Sequence, residues 1–288
     1  MASLLRPRRS VLYMPGANAR ALDKARSIDC DGLIFDLEDA VAVDAKADAR
    51  ANAVEALRQG GYGHRERVVR VNGLETPWGA DDVTAVARLG VDGVLFPKIE
   101  TVAQVEAAVA ALDAAGGAAV PVWFMVETPL AVLDVRRIAA HSGRLAVLVM
   151  GTSDLVKELR ARHTEDRHNL AYALQQCLLA ARALGVDILD GVHLDFRNEA
   201  GFRAACRHAR DMGFDGKSLI HPSQVQPANE LFGHDEAAVD QARRVLEVWE
   251  AAKAEGKGVA VLDGQLIENL HAAEAERVLA FAQALEAR

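Results

Sequence analysis

Between Ser10 and Ile220, eight short runs rich in Val, Ile, Leu and Phe alternate with longer Ala-rich segments whose apolar residues recur at intervals of three and four. A strand covered on both faces reads as an unbroken apolar run, whereas a covering helix needs only one apolar stripe. The alternation therefore predicts parallel strands joined by helices. Strands are expected at 10–14, 32–37, 68–71, 93–97, 122–126, 146–150, 191–194 and 218–220, with helices at 19–27, 46–57, 80–89, 102–114, 131–141, 169–184 and 200–212. Several helical segments end on glycine, as at Leu89-Gly90, Leu184-Gly185 and Met212-Gly213, where a left-handed C-cap carries no side-chain penalty. The junctions Gly90-Val91-Asp92-Gly93, Gly185-Val186-Asp187 and Gly213-Phe214-Asp215-Gly216 repeat one pattern, which suits a cyclic arrangement of like units. Eight such units predict an α/β fold, a TIM (β/α)8 barrel over residues 1–232.

Residues 233–288 then form a C-terminal helical extension, with a helix at 236–254, a loop through Gly256, Gly258 and Gly264, and a helix at 272–286. A glycine-bearing polar loop between two helices has the composition of a lid, structural padding being the alternative. With 41 acidic against 33 basic residues and a net charge of −8, nucleic acid is not the expected partner. The apolar runs are too short to span a bilayer and the N-terminus lacks a secretory h-region, so a cytoplasmic protein is expected. Cys30, Cys177 and Cys206 are odd in number and widely spaced, which supports neither a disulfide framework nor a thiolate metal site.

In a parallel barrel the chemistry sits where strands end, and polar residues cluster there. They are Asp36, Glu38 and Asp39 after the second run, Arg70 and Asn72 at the third, Lys98 after the fourth, Glu127 after the fifth and Asp154 after the sixth. His193 and Asp195 follow the seventh run and His221 the eighth. Carboxylates converging on one mouth raise each other's pKa unless cations share the site. Glu127 and Asp154 follow adjacent strands, and oxygen-only ligation with an incomplete protein shell favours Mg2+ over Zn2+. The alternative is that each merely caps the helix that follows. Arg70 interrupts an apolar strand and needs an anion, either Asp36 or Glu38, or a substrate carboxylate gripped by its fork. Lys98 either neutralises the site or bridges structural acids. His193 and His221 carry no metal-ligand spacing and are expected as hydrogen-bonding rim residues.

Seven segments, in order, resemble one family: Arg9-Ser10-Val11-Leu12-Tyr13-Met14-Pro15-Gly16, Asp36-Leu37-Glu38-Asp39-Ala40-Val41, Arg70-Val71-Asn72, Pro97-Lys98, Glu127-Thr128-Pro129, Gly151-Thr152-Ser153-Asp154-Leu155, and Gly213-Phe214-Asp215-Gly216-Lys217 followed by Ile220-His221-Pro222. Together they are similar to the citrate lyase β-subunit-like proteins of the HpcH/HpaI aldolase and malyl-CoA lyase superfamily. The resemblance implies Mg2+ held by Glu127 and Asp154, Arg70 on an oxo-acid carboxylate, and Glu38 and Asp39 orienting water or substrate. It implies carbon–carbon cleavage of a citryl-, malyl- or citramalyl-CoA type thioester to an oxo-acid and an acyl-CoA. Two alternatives stand beside it: a malyl-CoA-type thioesterase, and the β subunit of a multi-protein citrate lyase acting on an acyl-carrier thioester. For the thioester's phosphates the candidates are Lys24 and the N-terminal arginines, against a reading as solvated surface charge. The resemblance further implies a homo-oligomer, trimer or hexamer, whose tail supplies an acid/base to a neighbouring subunit. Where the family carries an aspartate in that tail, this chain reads Asp263-Gly264-Gln265-Leu266-Ile267-Glu268, so Glu268 takes its place.

Overall fold

The structure, a computed structural model, describes residues 5–288. Eight parallel strands close into a barrel in chain order: β1 (Ser10–Pro15), β2 (Gly32–Asp36), β3 (Glu66–Arg70), β4 (Gly93–Phe96), β5 (Val122–Val126), β6 (Leu145–Met150), β7 (Asp187–Asp190) and β8 (Gly216–Leu219). The helices between and after them are α1 (Ala19–Lys24), α2 (Lys46–Gln59), α3 (Gly79–Val86), α4 (Val102–Ala114), α5 (Pro129–Ala140), α6 (Thr152–Glu158), α7 (Ala171–Leu184), α8 (Glu199–Met212) and α9 (Val225–Leu231). Residues 8–232 form one compact unit, and residues 233–288 with the described residues before Arg8 form the other.

Alternation along each strand sorts the barrel into an inside and an outside. Val11, Ile34, Val68, Leu95, Trp123, Val147 and Leu189 pack together inside, while their strand neighbours, such as Leu12, Phe35, Val69, Phe124 and Leu148, pack into the larger core against the helices. The largest inner side chain, Trp123, has its room because β4 starts on glycine: a Cβ at Gly93 would lie 2.8 Å from the indole Nε1. At the N-terminal ends of the strands, Arg8 closes the barrel through Glu66 and Asp187 and stacks its cation over Trp123 at 5.4 Å. Arg9 pairs with Asp31 at 2.8 Å beside it. These two arginines are therefore structural ion pairs at the floor of the barrel rather than phosphate partners or solvated charges.

Helices α6 and α9 were not among the expected helices. The seventh strand ends at Asp190, whereas a strand at 191–194 was expected, because Asp187 and Asp190 read as turn formers. Asp190 faces the helix layer, fully buried, where Lys217 of β8 and Arg167 from the loop before α7 supply its counter-charges. His193 and Asp195 accordingly lie in the loop after β7.

In the C-terminal unit α10 (Glu236–Ala254) and α11 (Asn269–Glu286) bracket an antiparallel hairpin, β9 (Ala260–Leu262) and β10 (Gln265–Ile267), where only a loop was expected. Its turn, Asp263-Gly264, has φ of 51° and 79°, the geometry of a tight two-residue hairpin that favours an Asp-Gly pair. Ile267 packs with Val245, Trp249, Ala272 and Val278, and Arg244 clamps both oxygens of Asp263 at 2.8 Å. Among the described residues no helix is long and apolar enough to cross a membrane.

Candidate active site

Inward-facing positions of β2 and β3 change from apolar to charged at their last residues, which puts Asp36 and Arg70 side by side at the barrel mouth. The Arg70 fork grips Asp36, Nε to Oδ1 at 2.7 Å and Nη2 to Oδ2 at 2.6 Å, with both side chains buried. Nη1 reaches Glu38 Oε2 at 2.9 Å, and the Tyr13 ring lies 4.8 Å from the guanidinium carbon. The fork expected for a substrate carboxylate is thus already held by Asp36, and only Nη1 faces Glu38. Burial alone would lower the Arg70 pKa, but Asp36 raises it well above the ordinary value, so the cation is permanent. Asp36 also accepts from the main-chain N–H of Glu38 at 3.0 Å and Ala40 at 3.3 Å, and so shapes the loop that carries Glu38 and Asp39.

Glu38 lies between two cations, since Lys98 Nζ stands 2.7 Å from its Oε1. Burial nevertheless pushes its pKa up, against the opposing pull of Arg70 and Lys98. Asp39 is exposed, with an oxygen 3.9 Å from each of Arg70 and Lys98. Beneath this loop Lys46, the first residue of α2, is buried and donates to the carbonyls of Leu37 at 2.9 Å and Glu38 at 2.7 Å. Asn72 ties the same stretch to Asp82.

Glu127 follows β5 and is 1% exposed. It does not cap α5, because Thr128 does so by accepting from Ala131 N at 3.2 Å. Its Oε1 instead accepts from the main-chain N–H of Lys98 at 2.8 Å, and its Oε2 is buried with no hydrogen-bond partner among the described residues. Lys98 has a φ of 52°, a left-handed conformation that costs a residue with a Cβ about 1–2 kcal/mol. Such strain persists where surrounding structure demands it, commonly at functional sites. Gly151 makes the other half of the cradle, since a Cβ there would lie 2.3 Å from Glu127 Cβ and 2.7 Å from Oε2. Burial, then the charge of Glu38, push the Glu127 pKa up to about 7 against the Lys98 N–H, and Asp154 adds to the rise.

Asp154 sits half-buried in the first turn of α6, near enough to Glu127 to raise its pKa, and takes no hydrogen bond or ion pair among the described residues. It is not the cap of α6; Gly151 occupies that position. Among the described residues no group of three or more His, Cys, Asp or Glu side chains is arranged around a metal position. Two carboxylates fit a cation that keeps several waters, and Mg2+ commonly binds through one or two carboxylates in this way. The orphaned Oε2 of Glu127 is the feature that fits such an ion, because a buried acceptor without a donor otherwise costs about 1–3 kcal/mol.

Asp36, Glu38, Asp39, Arg70, Lys98 and Glu127 are therefore joined by hydrogen bonds and ion pairs, with Asp154 close enough to act on Glu127 through its charge, and Tyr13 and Lys46 lie against the group without a sequence signal that singled them out. Lys24 does not join it; it is exposed in the last turn of α1. Glu268, in the C-terminal unit, is exposed at the N-cap of α11, where its main-chain N–H donates to His271 Nδ1 at 3.0 Å. His221 caps the turn after β8 through Ser223 and stacks on Phe196 at 4.6 Å. His193, whose pKa burial lowers, lines a cavity of about 540 Å³ with Thr152, Arg167, Asn169, Asn198 and Lys217.

Residues 9–222 match the HpcH/HpaI aldolase/citrate lyase family. A (3S)-malyl-CoA thioesterase from Cereibacter sphaeroides is 48% identical over 287 residues, 100% of this chain and 99% of that one. The citrate lyase subunit beta of Escherichia coli is 38% identical over 91% of this chain and 89% of its own length. Among solved structures, CitE from Mycobacterium tuberculosis in complex with magnesium, acetoacetate and coenzyme A superposes with a TM-score of 0.77 at 29% identity, covering 97% of this chain and 100% of that one. A citrate lyase beta subunit complexed with oxaloacetate and magnesium, from the same organism, gives 0.66 at 30% identity over 78% of this chain and 97% of that one.

Proposed function

The chain belongs to the HpcH/HpaI aldolase/citrate lyase family, and on that premise we propose that it is a Mg2+-dependent enzyme hydrolysing the thioester of a malyl-CoA-type substrate. The observation that carries the metal-assisted part is the buried, partnerless Oε2 of Glu127 beside Asp154. These two carboxylates would hold the ion, which when bound polarises a substrate oxygen and offsets developing negative charge. Arg70 Nη1 and Lys98 Nζ bring positive charge to the carboxylate of the acyl group, exchanging Glu38 for it. Asp36 keeps the guanidinium plane fixed while that exchange happens. Glu38, raised in pKa by burial, and the exposed Asp39 are the groups that orient water at the mouth. Glu268, delivered by the tail of a neighbouring subunit in a homo-oligomer, is the remaining proton-transfer group. Lys24 stands at the surface for the phosphates of the CoA.

Hydrolysis is put first because the 48% identical thioesterase matches along the whole chain. Carbon–carbon cleavage is the second reading, favoured by the citrate lyase beta subunit that shares 38% identity. Both begin with the same substrate held the same way and differ in which bond breaks. Incubation with (3S)-malyl-CoA and Mg2+ separates them. Hydrolysis releases free CoA thiol and malate in equal amounts, whereas cleavage gives acetyl-CoA and glyoxylate with no free thiol. Loss of turnover with EDTA is expected in either case. Turnover undiminished by EDTA overturns the metal assignment, and absence of both product pairs overturns the substrate class.

A further inference from the structure

We infer that Lys98 is a positioning residue that sets which cation the Glu127–Asp154 pair accepts, acting through its main-chain N–H rather than its ammonium group. The inference rests on the metal reading above and concerns a property that reading leaves open.

Lys98 follows β4 in a left-handed conformation that residues with a Cβ rarely adopt. In that conformation its N–H lies 2.8 Å from Glu127 Oε1, while Nζ lies 2.7 Å from Glu38 Oε1. One residue thus fixes two carboxylates with two different groups. On the far side of Glu127, the missing side chain of Gly151 lets the carboxylate occupy this position, since any Cβ there would come within 2.3 Å of Glu127 Cβ. The result is a carboxylate with one oxygen committed to a donor and the other, Oε2, buried and without a partner. Glu127 therefore offers Oε2 freely and Oε1 only in competition with the Lys98 N–H, which favours ligation through one oxygen over two.

That preference discriminates between hard cations. Ca2+ gathers six to eight oxygens and readily takes both from one carboxylate, whereas Mg2+ requires a smaller, more regular set and retains waters. With Glu127 favoured as a one-oxygen ligand, and with no third acidic side chain brought to the position among the described residues, the site suits a small ion that keeps most of its waters better than a larger one that gains from two-oxygen carboxylate ligation.

Mn2+ binding to the full-length protein, followed by electron paramagnetic resonance with Mg2+ and Ca2+ as competitors, tests this without reference to turnover. Wild type is expected to show competition by Mg2+ at least about tenfold stronger than by Ca2+. Lys98→Gly and Lys98→Asn tolerate the left-handed backbone and keep the N–H while losing the ammonium group, so each should keep that ratio within about threefold. Lys98→Val is driven out of the left-handed region and Lys98→Pro has no N–H. Each should narrow the ratio about tenfold, the order expected for one hydrogen bond to a charged group. Gly151→Ala, which displaces the Glu127 carboxylate by steric contact, should narrow it as well and serves where Lys98→Pro does not fold. Equal loss in Lys98→Gly and Lys98→Val would assign the effect to the ammonium group and overturn the inference, as would an unchanged ratio in Lys98→Val or Gly151→Ala. A wild type that binds no Mn2+ overturns the metal reading itself, which is a different failure.

Discussion

Asp190→Asn tests whether the buried charges behind β7 and β8 hold the barrel closed. Asp190 is fully buried, and its carboxylate takes two hydrogen bonds from Arg167 and one from Lys217, whose own side chain is 2% exposed. Amidation leaves Lys217 with neutral acceptors, an amide oxygen at position 190 and the carbonyl of Gly191, and with no counter-charge at position 190. The ammonium group then either stays charged without a counter-ion, which typically costs about 3–5 kcal/mol, or sheds its proton. Deprotonating a lysine of reference pKa near 10.4 at pH 7 costs about 4.6 kcal/mol at 1.36 kcal/mol per pKa unit, so both routes give the same order. At about 2–4 °C per kcal/mol for a chain of this size, the melting temperature should fall by roughly 10 °C or more. Lys217→Met should cost less, because Asp190 keeps its Arg167 fork. The double substitution should be milder than the sum of the two, since no unpaired lysine remains. Urea unfolding followed by circular dichroism measures all three. The pH dependence has a definite sign. Burial would raise the Asp190 pKa, but Lys217 and Arg167 outweigh it and hold the pKa below the ordinary value, so the contribution is complete above the unfolded pKa of about 3.9 and is lost as the pH falls through the folded one. The gap between wild type and Asp190→Asn should therefore be constant from neutrality to about pH 5 and close on further acidification. An Asp190→Asn protein that melts within about 2 °C of wild type at pH 7, or a strictly additive double mutant, refutes the reasoning.

Glu127→Gln and Asp154→Asn should each reduce Mg2+ affinity by at least about tenfold in calorimetric titration while leaving the circular dichroism spectrum intact; ordinary Mg2+ affinity in either variant would place the ion elsewhere. Arg70→Lys should raise the dissociation constant of a small oxo-acid by about tenfold to a hundredfold, because a point charge cannot hold Asp36 and a substrate carboxylate at once; unchanged affinity assigns Arg70 to structure alone. Glu268→Gln should abolish turnover of (3S)-malyl-CoA with Mg2+ binding preserved, and mixing it with Asp154→Ala subunits should restore part of the activity. Parental turnover in Glu268→Gln places the proton transfer on another group.

Much of the barrel was legible because its inner and outer faces are both apolar, so strands β1 to β6 announce themselves as runs such as Val122 to Val126. β7 did not, for a definite reason. Its sequence, Asp187-Ile188-Leu189-Asp190, places a carboxylate at each end, and sequence pattern alone reads those as turn residues. What makes them strand residues is long-range pairing, Asp187 with Arg8 and Asp190 with Lys217 and Arg167, from partners 179, 27 and 23 positions away. The tail hairpin was different, because its Asp263-Gly264 turn between Ala260-Val261-Leu262 and Gln265-Leu266-Ile267 was a local signal that the glycines around it obscured. Lys46 had no such signal: its burial follows from where the β2–α2 loop folds back, which no short window encodes.

The candidate site shows the same division between what a chain lists and what a fold decides. Five carboxylates at strand ends are visible in the sequence, but their claims on the available cations are not. In the folded barrel Asp36 takes the Arg70 fork, Glu38 takes Arg70 Nη1 and Lys98 Nζ, and Asp39 lies 3.9 Å from both cations. Lys46 is the third cation whose charge acts on this group. With all five ionised, five negative charges against three positive leave two, which is the charge of one divalent ion. Of the five, the carboxylates without a side-chain cation in contact among the described residues are Glu127 and Asp154, which follow adjacent strands, and burial pushes the Glu127 pKa up to about 7. A divalent cation at that pair removes the electrostatic conflict and satisfies the orphaned Oε2 together, which no rearrangement of the three resident cations does while Asp36 and Glu38 keep their partners.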